Sequence, residues 1–304
     1  MRKAIAFVLA LGLAFLPLYG CREKTVHEEK DTLQIVSTIF PSYDWVREIL
    51  GEETKKADLS LLVKNGVDLH SYQPSVEDLV MISECDLFIY VGGTSDGWVE
   101  DALHASQNPD QIAVDLLQVL GLDGDTEADE HVWLSLKNAK VLCAHIADQL
   151  SALDPERAQT YADNLTAYTE QLETLDVQYE KMVDNAGGDT VVFGDRFPFR
   201  YLFDDYGIHC FAAYAGCSAE AEVSFDTVIT LAEKIDALGL SCILVPETSD
   251  KSLAQTILQS TKDKNQEILV MDSMQSVTED QMEEGITYLS GMESNLAVLE
   301  YALG

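Results

Sequence analysis

The sequence predicts an α/β protein: two Rossmann-like lobes, each a mainly parallel sheet flanked by helices, joined by one long rigid linking helix. Three observations predict it. Short apolar runs alternate with amphipathic segments on both sides of the chain's middle. Continuous apolar runs such as "DLFIYVGG" (86–93) are what a strand buried on both faces of a parallel sheet requires. Between the two halves, Tyr161, Leu165, Tyr168, Leu172, Leu175, Tyr179 and Met182 recur at alternating spacings of four and three, the apolar stripe of one long helix.

The first half opens with "LQIVSTI" (33–39), a short apolar strand. Pro41 and Ser42 start an amphipathic helix, "SYDWVREILG", which Gly51 closes. "DLSLLV" (58–63) is a second strand, and "SVEDLVMISEC" (75–85) has helical spacing. The run 86–93 is a third strand and "QIAVDL" (111–116) a fourth. Asp154 then offers an N-cap and Pro155 suits the first helical position. Gly187-Gly188 stops the long helix. At 1.5 Å per residue it extends roughly 45 Å. A coiled coil is the competing reading of its stripe. A spacer packed along two lobes fits better, because α/β patterning resumes straight after it.

The second half repeats the theme. "DTVVFGD" (189–195), "HCFAAYA" (209–215), "SCILVPE" (241–247) and "EILVMDS" (267–273) are strands. Helices are expected around "FRYLFDDYG" (199–207), over "SFDTVITLAEKIDALG" (224–239) and over "SLAQTILQSTKD" (252–263). "ITYLSGMESNLAVLEYAL" (286–303) closes the chain as a helix. The expected organisation is 1–21 signal peptide, 22–32 tether, 33–153 N-terminal lobe, 154–186 linking helix and 187–304 C-terminal lobe.

Composition narrows the function. Acidic residues number 53 against 19 basic, a net charge of −34. Nucleic acid and anionic membrane surfaces repel such a chain. A solvated soluble surface accounts for most of the carboxylates. Met1-Arg2-Lys3 is a short positive start, and residues 4–18 are apolar apart from Gly12 and Pro17. That run is short for a membrane span and fits a signal peptide. Gly20 before Cys21 fits a lipoprotein signal, with Cys21 as the lipid-bearing residue. Without Cys21, five cysteines remain: Cys85, Cys143, Cys210, Cys217 and Cys242. None is spaced as CxxC, which argues against a thiolate zinc site. Cys143 and Cys242 lie in apolar contexts and read as buried thiols. Export permits a Cys210–Cys217 disulfide.

Several polar residues fall just after expected strands. His70 follows the second strand through a Gly66-Val67-Asp68 turn, where glycine lets the backbone turn sharply. His131 follows the acidic stretch "DGDTEADE" (123–130), which could gather cations weakly. Asp195, Glu247 and Asp272 follow "TVVFG", "SCILVP" and "EILVM". Singly, each reads as a turn former, a helix cap or a surface charge. Together they place two imidazoles and up to three carboxylates at strand ends, where ligands of such sheets collect. Nitrogen with carboxylate oxygen suits Zn²⁺ or Mn²⁺, whereas Ca²⁺ prefers oxygen alone. His27, His104, His145 and His209 sit in tether, helix or strand-start contexts without such company. The chain carries no H-E-x-x-H, G-x-S-x-G or P-loop pattern. It is therefore expected not to be an enzyme.

Longer segments carry a family resemblance. "VSTIFPSYDWVREILG", "GVDLHSYQPSVEDLVMISECDLFIYVGG", "DEHVWLSLKNAKVLCAHIADQLSALDPERAQTYADNL", "SAEAEVSF", "MDSM" and "GITYLSGMESNLAVLEYAL" occur in order over nearly the whole mature chain. They resemble the solute-binding lipoproteins of zinc and manganese ABC transporters, a family that includes streptococcal manganese-binding adhesins. The resemblance implies His70, His131 and Asp272 as metal ligands. The family usually has His or Glu a few residues before an F-x-Y-[LF] pattern. Here that position holds Arg196, and a guanidinium cannot bind a cation. Asp195 then replaces the missing ligand and Arg196 braces a carboxylate. The alternative is a three-residue site completed by water or by Glu247.

The implied cargo is Zn²⁺ or Mn²⁺, and the implied partners are an ABC permease and its ATPase. The implied location is the outer face of the bacterial cytoplasmic membrane, at the cell surface or in the periplasm, held by the lipid on Cys21. Two other readings compete. One is an exported metal-dependent hydrolase with Glu247 as base, and the other is an adhesin-type surface lipoprotein.

Overall fold

The computed structural model describes residues 32–123, 129–214 and 223–304. The expected signal peptide with Cys21, nearly all of the tether, the middle of the acidic stretch, Cys217 and most of "SAEAEVSF" lie outside the described residues.

The N-terminal half alternates strand and helix: β1 (Leu33–Ser37), α1 (Phe40–Leu50), β2 (Ala57–Leu61), α2 (Val76–Glu84), β3 (Leu87–Tyr90), α3 (Val99–His104), β4 (Ile112–Asp115), α4 (Leu116–Val119) and α5 (Leu136–Leu153). The C-terminal half follows α6 (Ala158–Asn185) with β5 (Thr190–Phe193), α7 (Arg200–Tyr206), β6 (His209–Ala212), α8 (Phe225–Leu238), β7 (Cys242–Pro246), α9 (Ser252–Gln259), β8 (Glu267–Met271), α10 (Glu279–Glu283) and α11 (Tyr288–Leu303). The strands pair in the orders β2-β1-β3-β4 and β6-β5-β7-β8. Every pairing is parallel.

The two halves thus repeat one topology. In each, the chain steps from the first strand to one side, then returns across it to the other. The order reverses between β1 and β3, and again between β5 and β7. Loops leaving the carboxyl ends diverge there and open a crevice. The sequence explains the centre of each sheet. Leu87, Phe88 and Ile89 are fully buried, and β7 is buried along its whole length. Such strands need apolar residues on both faces.

One apolar core runs through both sheets and contains Trp45, Trp133, Phe193 and Tyr288. A smaller core, with Val192, Ile235 and Ile243, fills the other face of the second sheet. Tyr288 ties the halves: its N–H donates to Asp44 at 2.7 Å and its hydroxyl to the Trp133 carbonyl at 2.6 Å.

The striped helix differs from expectation at its start. Residues Pro155–Arg157 form a 3₁₀ turn, and the α-helix begins at Ala158 with Arg157 as the cap residue. The Asp154 carboxylate caps neither. It accepts the Tyr161 hydroxyl at 2.9 Å and pairs with Arg157. A proline-led tight turn lets the chain reverse out of α5 before α6 sets off. The 28 residues of α6 span about 42 Å at 1.5 Å each. Its stripe packs within the molecule, against α5, α1 and α11. Tyr161, Tyr168, Leu172, Leu175, Tyr179 and Met182 are buried. The coiled-coil reading has no role left to fill. Cys143 and Cys242 are buried free thiols, and Cys85 is buried as well. Among the described residues, no helix is long and apolar enough to cross a membrane.

Candidate metal centre

His70 lies in the loop after β2. Asp68 accepts the His70 backbone N–H at 2.8 Å and so starts a 3₁₀ turn, Leu69–Ser71. Leu69 is buried and anchors this turn, while Gly66 precedes it at φ +76. His131 precedes a second 3₁₀ turn, Val132–Leu134, whose three residues are all buried. The His131 ring lies against Trp133, with centroids 5.1 Å apart. The carboxylate of Asp129 accepts the His131 backbone N–H at 2.9 Å and lies 2.6 Å from its Nδ1.

The two imidazoles meet, with His70 Nε2 and His131 Nε2 3.2 Å apart. The far side of His70 is also held: Nδ1 is 2.8 Å from Ser95 Oγ and 3.4 Å from Glu130 Oε2. Both Nδ1 atoms thus face oxygen, and both Nε2 atoms face a shared point. Burial works against the charged form of His70, but the Glu130 and Asp68 carboxylates outweigh it and raise its pKa. Burial also opposes the charge on Glu130. The nearby His70 imidazole, 3.4 Å away, and the hydrogen bonds from Ser95 outweigh that and hold its pKa down to about 2. Asp129 follows the same logic, with His131 lowering it against burial.

In the C-terminal half, Asp195 follows β5, Glu247 follows β7 and Asp272 follows β8. Asp195 accepts the Arg196 N–H at 2.8 Å and the Ser249 hydroxyl. Asp272 accepts the Met274 N–H at 2.7 Å, while Asn295 grips its backbone with two 2.8 Å bonds. Burial raises the Asp272 pKa. Glu247 accepts the Ser273 N–H at 2.8 Å, the Ser273 hydroxyl at 2.7 Å and the Ser276 hydroxyl at 3.2 Å. Burial and then the Asp272 charge raise its pKa. Both of its oxygens are engaged with the loop that carries Asp272.

Two bridges cross between these loops. Trp133 Nε1 donates to the Ser273 carbonyl at 2.8 Å, joining the His131 segment to the Asp272 loop. Arg196 Nη1 lies 3.8 Å from Asp68 Oδ2, joining the Asp195 loop to the His70 turn. The structure therefore brings His70 and His131 into contact and places Asp195 and Asp272 on loops bridged to theirs. Among the described residues, no three His, Cys, Asp or Glu side chains are grouped closely enough to hold a metal ion together. Sequence reasoning missed Ser95, Asp129 and Glu130. The last two stand in the stretch read only as an acidic run, and their adjacency to His131 was the available signal.

Two parallel sheets of one topology, with bridged loops at their carboxyl ends and a pair of imidazoles among those of the first sheet, define a two-lobed α/β protein. Residues 35–302 match the family described as zinc-uptake complex component A, periplasmic (ZnuA), and the chain belongs to that family. It is 30% identical to the zinc-binding lipoprotein AdcA of Streptococcus pneumoniae over 98% of its own length and 60% of that protein. The chain thus spans about 60% of the length of the AdcA relatives it matches. It is 31% identical to the manganese ABC transporter substrate-binding lipoprotein PsaA of Streptococcus pneumoniae, covering 97% of each chain. The Zn(II)-bound ZnuA-like domain of Streptococcus pneumoniae AdcA superposes with a TM-score of 0.75 at 30% identity, covering 90% of this chain and 99% of that one.

Proposed function

We propose that this chain is the extracytoplasmic solute-binding component of a metal ABC transporter. It captures one divalent transition metal, zinc or manganese, and delivers it to a membrane permease driven by an ATPase. It does no chemistry on its cargo. His70, His131, Asp195 and Asp272 are the ligands, and a lipid on Cys21 holds the protein at the outer face of the cytoplasmic membrane. The observation that carries the reading is the imidazole pair, with two Nε2 atoms 3.2 Å apart at the carboxyl ends of the first sheet. Two nitrogens plus carboxylate oxygens suit Zn²⁺ and Mn²⁺, and Zn²⁺ binds such a set more tightly. Similarity to both a zinc-binding and a manganese-transporting relative agrees with that pair of metals.

The hydrogen bonds that engage Glu247 favour a bracing role over ligation and over service as a hydrolytic base. Asp195 accepts one hydrogen bond on each oxygen, from the Arg196 N–H and the Ser249 hydroxyl, one fewer than Glu247 accepts. Competition titration of metal-stripped protein, residues 22–304, tests this. One Zn²⁺ or Mn²⁺ per chain is expected. Removing a ligand from a four-ligand site, as in His70→Ala or Asp195→Ala, weakens binding by about a hundredfold or more. Undiminished binding by Asp195→Ala would leave a three-residue site completed by water. Absence of tight binding in the unmodified protein would sink the transport reading.

A further inference from the structure

The residues behind the imidazoles form a separate system, and its role rests on the metal-capture reading. Ser95 belongs to "VGGTSD", the loop leaving β3. Its N–H donates to Glu130 Oε1 at 2.8 Å, and its hydroxyl donates to Glu130 Oε2. With that hydroxyl proton committed to Glu130, Ser95 Oγ has only lone pairs to offer His70 Nδ1, 2.8 Å away. The imidazole must then donate from Nδ1, which leaves Nε2 as the atom that can present a lone pair to a metal. Glu130 is almost fully buried, and the fold makes room for it. A Cβ on Gly93, which sits at φ +78, would lie 2.6 Å from Glu130 Oε1. The preceding residue, Asp129, holds Nδ1 of His131 in the same sense at 2.6 Å. Two adjacent carboxylates therefore serve two histidines that lie 61 positions apart in the chain.

The geometry points to Glu130, acting through Ser95, as the positioning residue for His70, paired with Asp129 as the positioning residue for His131. The segment 129–130 orients both imidazoles with Nε2 toward the shared point. Neither carboxylate occupies a coordination position. Outer partners of ligating histidines fix the tautomer and ring orientation, and their loss typically weakens metal binding by about 10- to 100-fold.

The test is zinc competition titration of metal-stripped Ser95→Ala, Glu130→Gln and the double variant, alongside thermal unfolding without metal. Ser95→Ala keeps the loop's N–H bond to Glu130 but removes the relay. Each single variant is expected to weaken zinc binding about 10- to 100-fold, the double variant no more than either single one, and Ser95→Thr, which retains a hydroxyl, is expected to restore most of the affinity. The metal-free unfolding midpoint should stay near that of the unmodified protein for Ser95→Ala. Long-range ¹H–¹⁵N spectra of the zinc-loaded unmodified protein should show His70 protonated at Nδ1 and metal-bound at Nε2. Zinc held by Nδ1, or variant affinities within twofold of the unmodified protein, would overturn the assignment while leaving metal capture intact. Weakened affinity that Ser95→Thr does not restore, with a matching fall in the midpoint, would make the contact a structural clamp and overturn it also. If the unmodified chain binds no zinc tightly, the metal-capture reading falls and this assignment falls with it.

Discussion

Glu247 and Asp272 sit at the ends of adjacent strands, yet their surroundings differ. Glu247 accepts three hydrogen bonds from Ser273 and Ser276, while the Asp272 carboxylate accepts the Met274 N–H. A carboxylate saturated by donors is held in place and has little left to give a metal. Asp272 keeps lone pairs to offer. Glu247→Gln is therefore expected to weaken zinc binding by less than about tenfold, and Asp272→Ala by about a hundredfold or more. A chromophoric chelator in competition with each variant measures both. A loss in Glu247→Gln equal to that in Asp272→Ala would make Glu247 a ligand. Which carboxylate is saturated depends on a loop that follows β8, so the bare sequence could name both residues but not rank them. The same holds at His131. "DEH" could be read as charge: Asp129 bonds His131 two residues on, but the partners of Glu130, Ser95 and His70, come from the loops after β3 and β2.

At the scale of elements, α6 is where local pattern and tertiary structure agree most closely. Its stripe of four-and-three spacing is buried against α5, α1 and α11, so the periodicity reports a packing face. Leu172 is fully buried on it, and the Tyr179 hydroxyl donates to the Met292 carbonyl at 2.6 Å across to α11. Leu172→Ala is expected to destabilise the protein by about 2–5 kcal/mol through lost burial and a residual cavity. Tyr179→Phe should cost about 0.5–1.5 kcal/mol, the net worth of one buried hydrogen bond, because the Met292 carbonyl lies within α11 and keeps its helical partner. Urea unfolding of the metal-free protein checks both, and a Tyr179→Phe effect near zero would mean that water takes up the Met292 carbonyl.

All eight described strands were legible as apolar runs: β3 and β7, buried on both faces, carry that signal without a partner, and the edge strand β6 carries it although its residues stay partly exposed. Of α3 only the helix end around His104 was legible; α4 and α10 were not, having four and five residues, too few for a 3.6-residue period to show. The start of α6 was misplaced because Asp154-Pro155 is an equally good signal for a tight turn, and Arg157 and Tyr161 settle which use the Asp154 carboxylate receives.

At the scale of the whole molecule, excess negative charge and buried carboxylates act in the same direction. The chain carries a net charge of −34, so ionising more carboxylates increases self-repulsion in the compact state. Two buried groups add a local contribution. Burial pushes Asp96 up to about 7, against hydrogen bonds from the Val91 and Gly92 N–H groups. Burial likewise pushes Asp44 up to about 6, against its ion pair with Arg47. Both folded values lie above the ordinary aspartate value of about 3.9, so the folded state holds these protons more tightly than the unfolded chain does. That contribution is fully present below about pH 4 and is lost as pH rises through 6 to 7.

Metal-stripped protein should therefore lose stability between about pH 4.5 and 7.5, the range over which these two carboxyls ionise in the folded protein. Asp96→Asn separates the local part from the global one, because an asparagine carbonyl can still accept the two backbone N–H groups and never ionises. At pH 4.5 the variant should match the unmodified protein. At pH 8 it should be more stable by about 1–3 kcal/mol, since each tenfold change in proton affinity is worth about 1.4 kcal/mol and buried sites realise less than the full amount. Salt screens charge repulsion across the surface but reaches a buried carboxylate poorly. The difference between variant and unmodified protein should therefore persist in about 0.5 M sodium chloride, while the shared slope flattens. If the variant instead follows the unmodified slope and salt removes it from both, the pH dependence belongs to surface charge alone, and Asp96 is ionised in the folded protein without penalty.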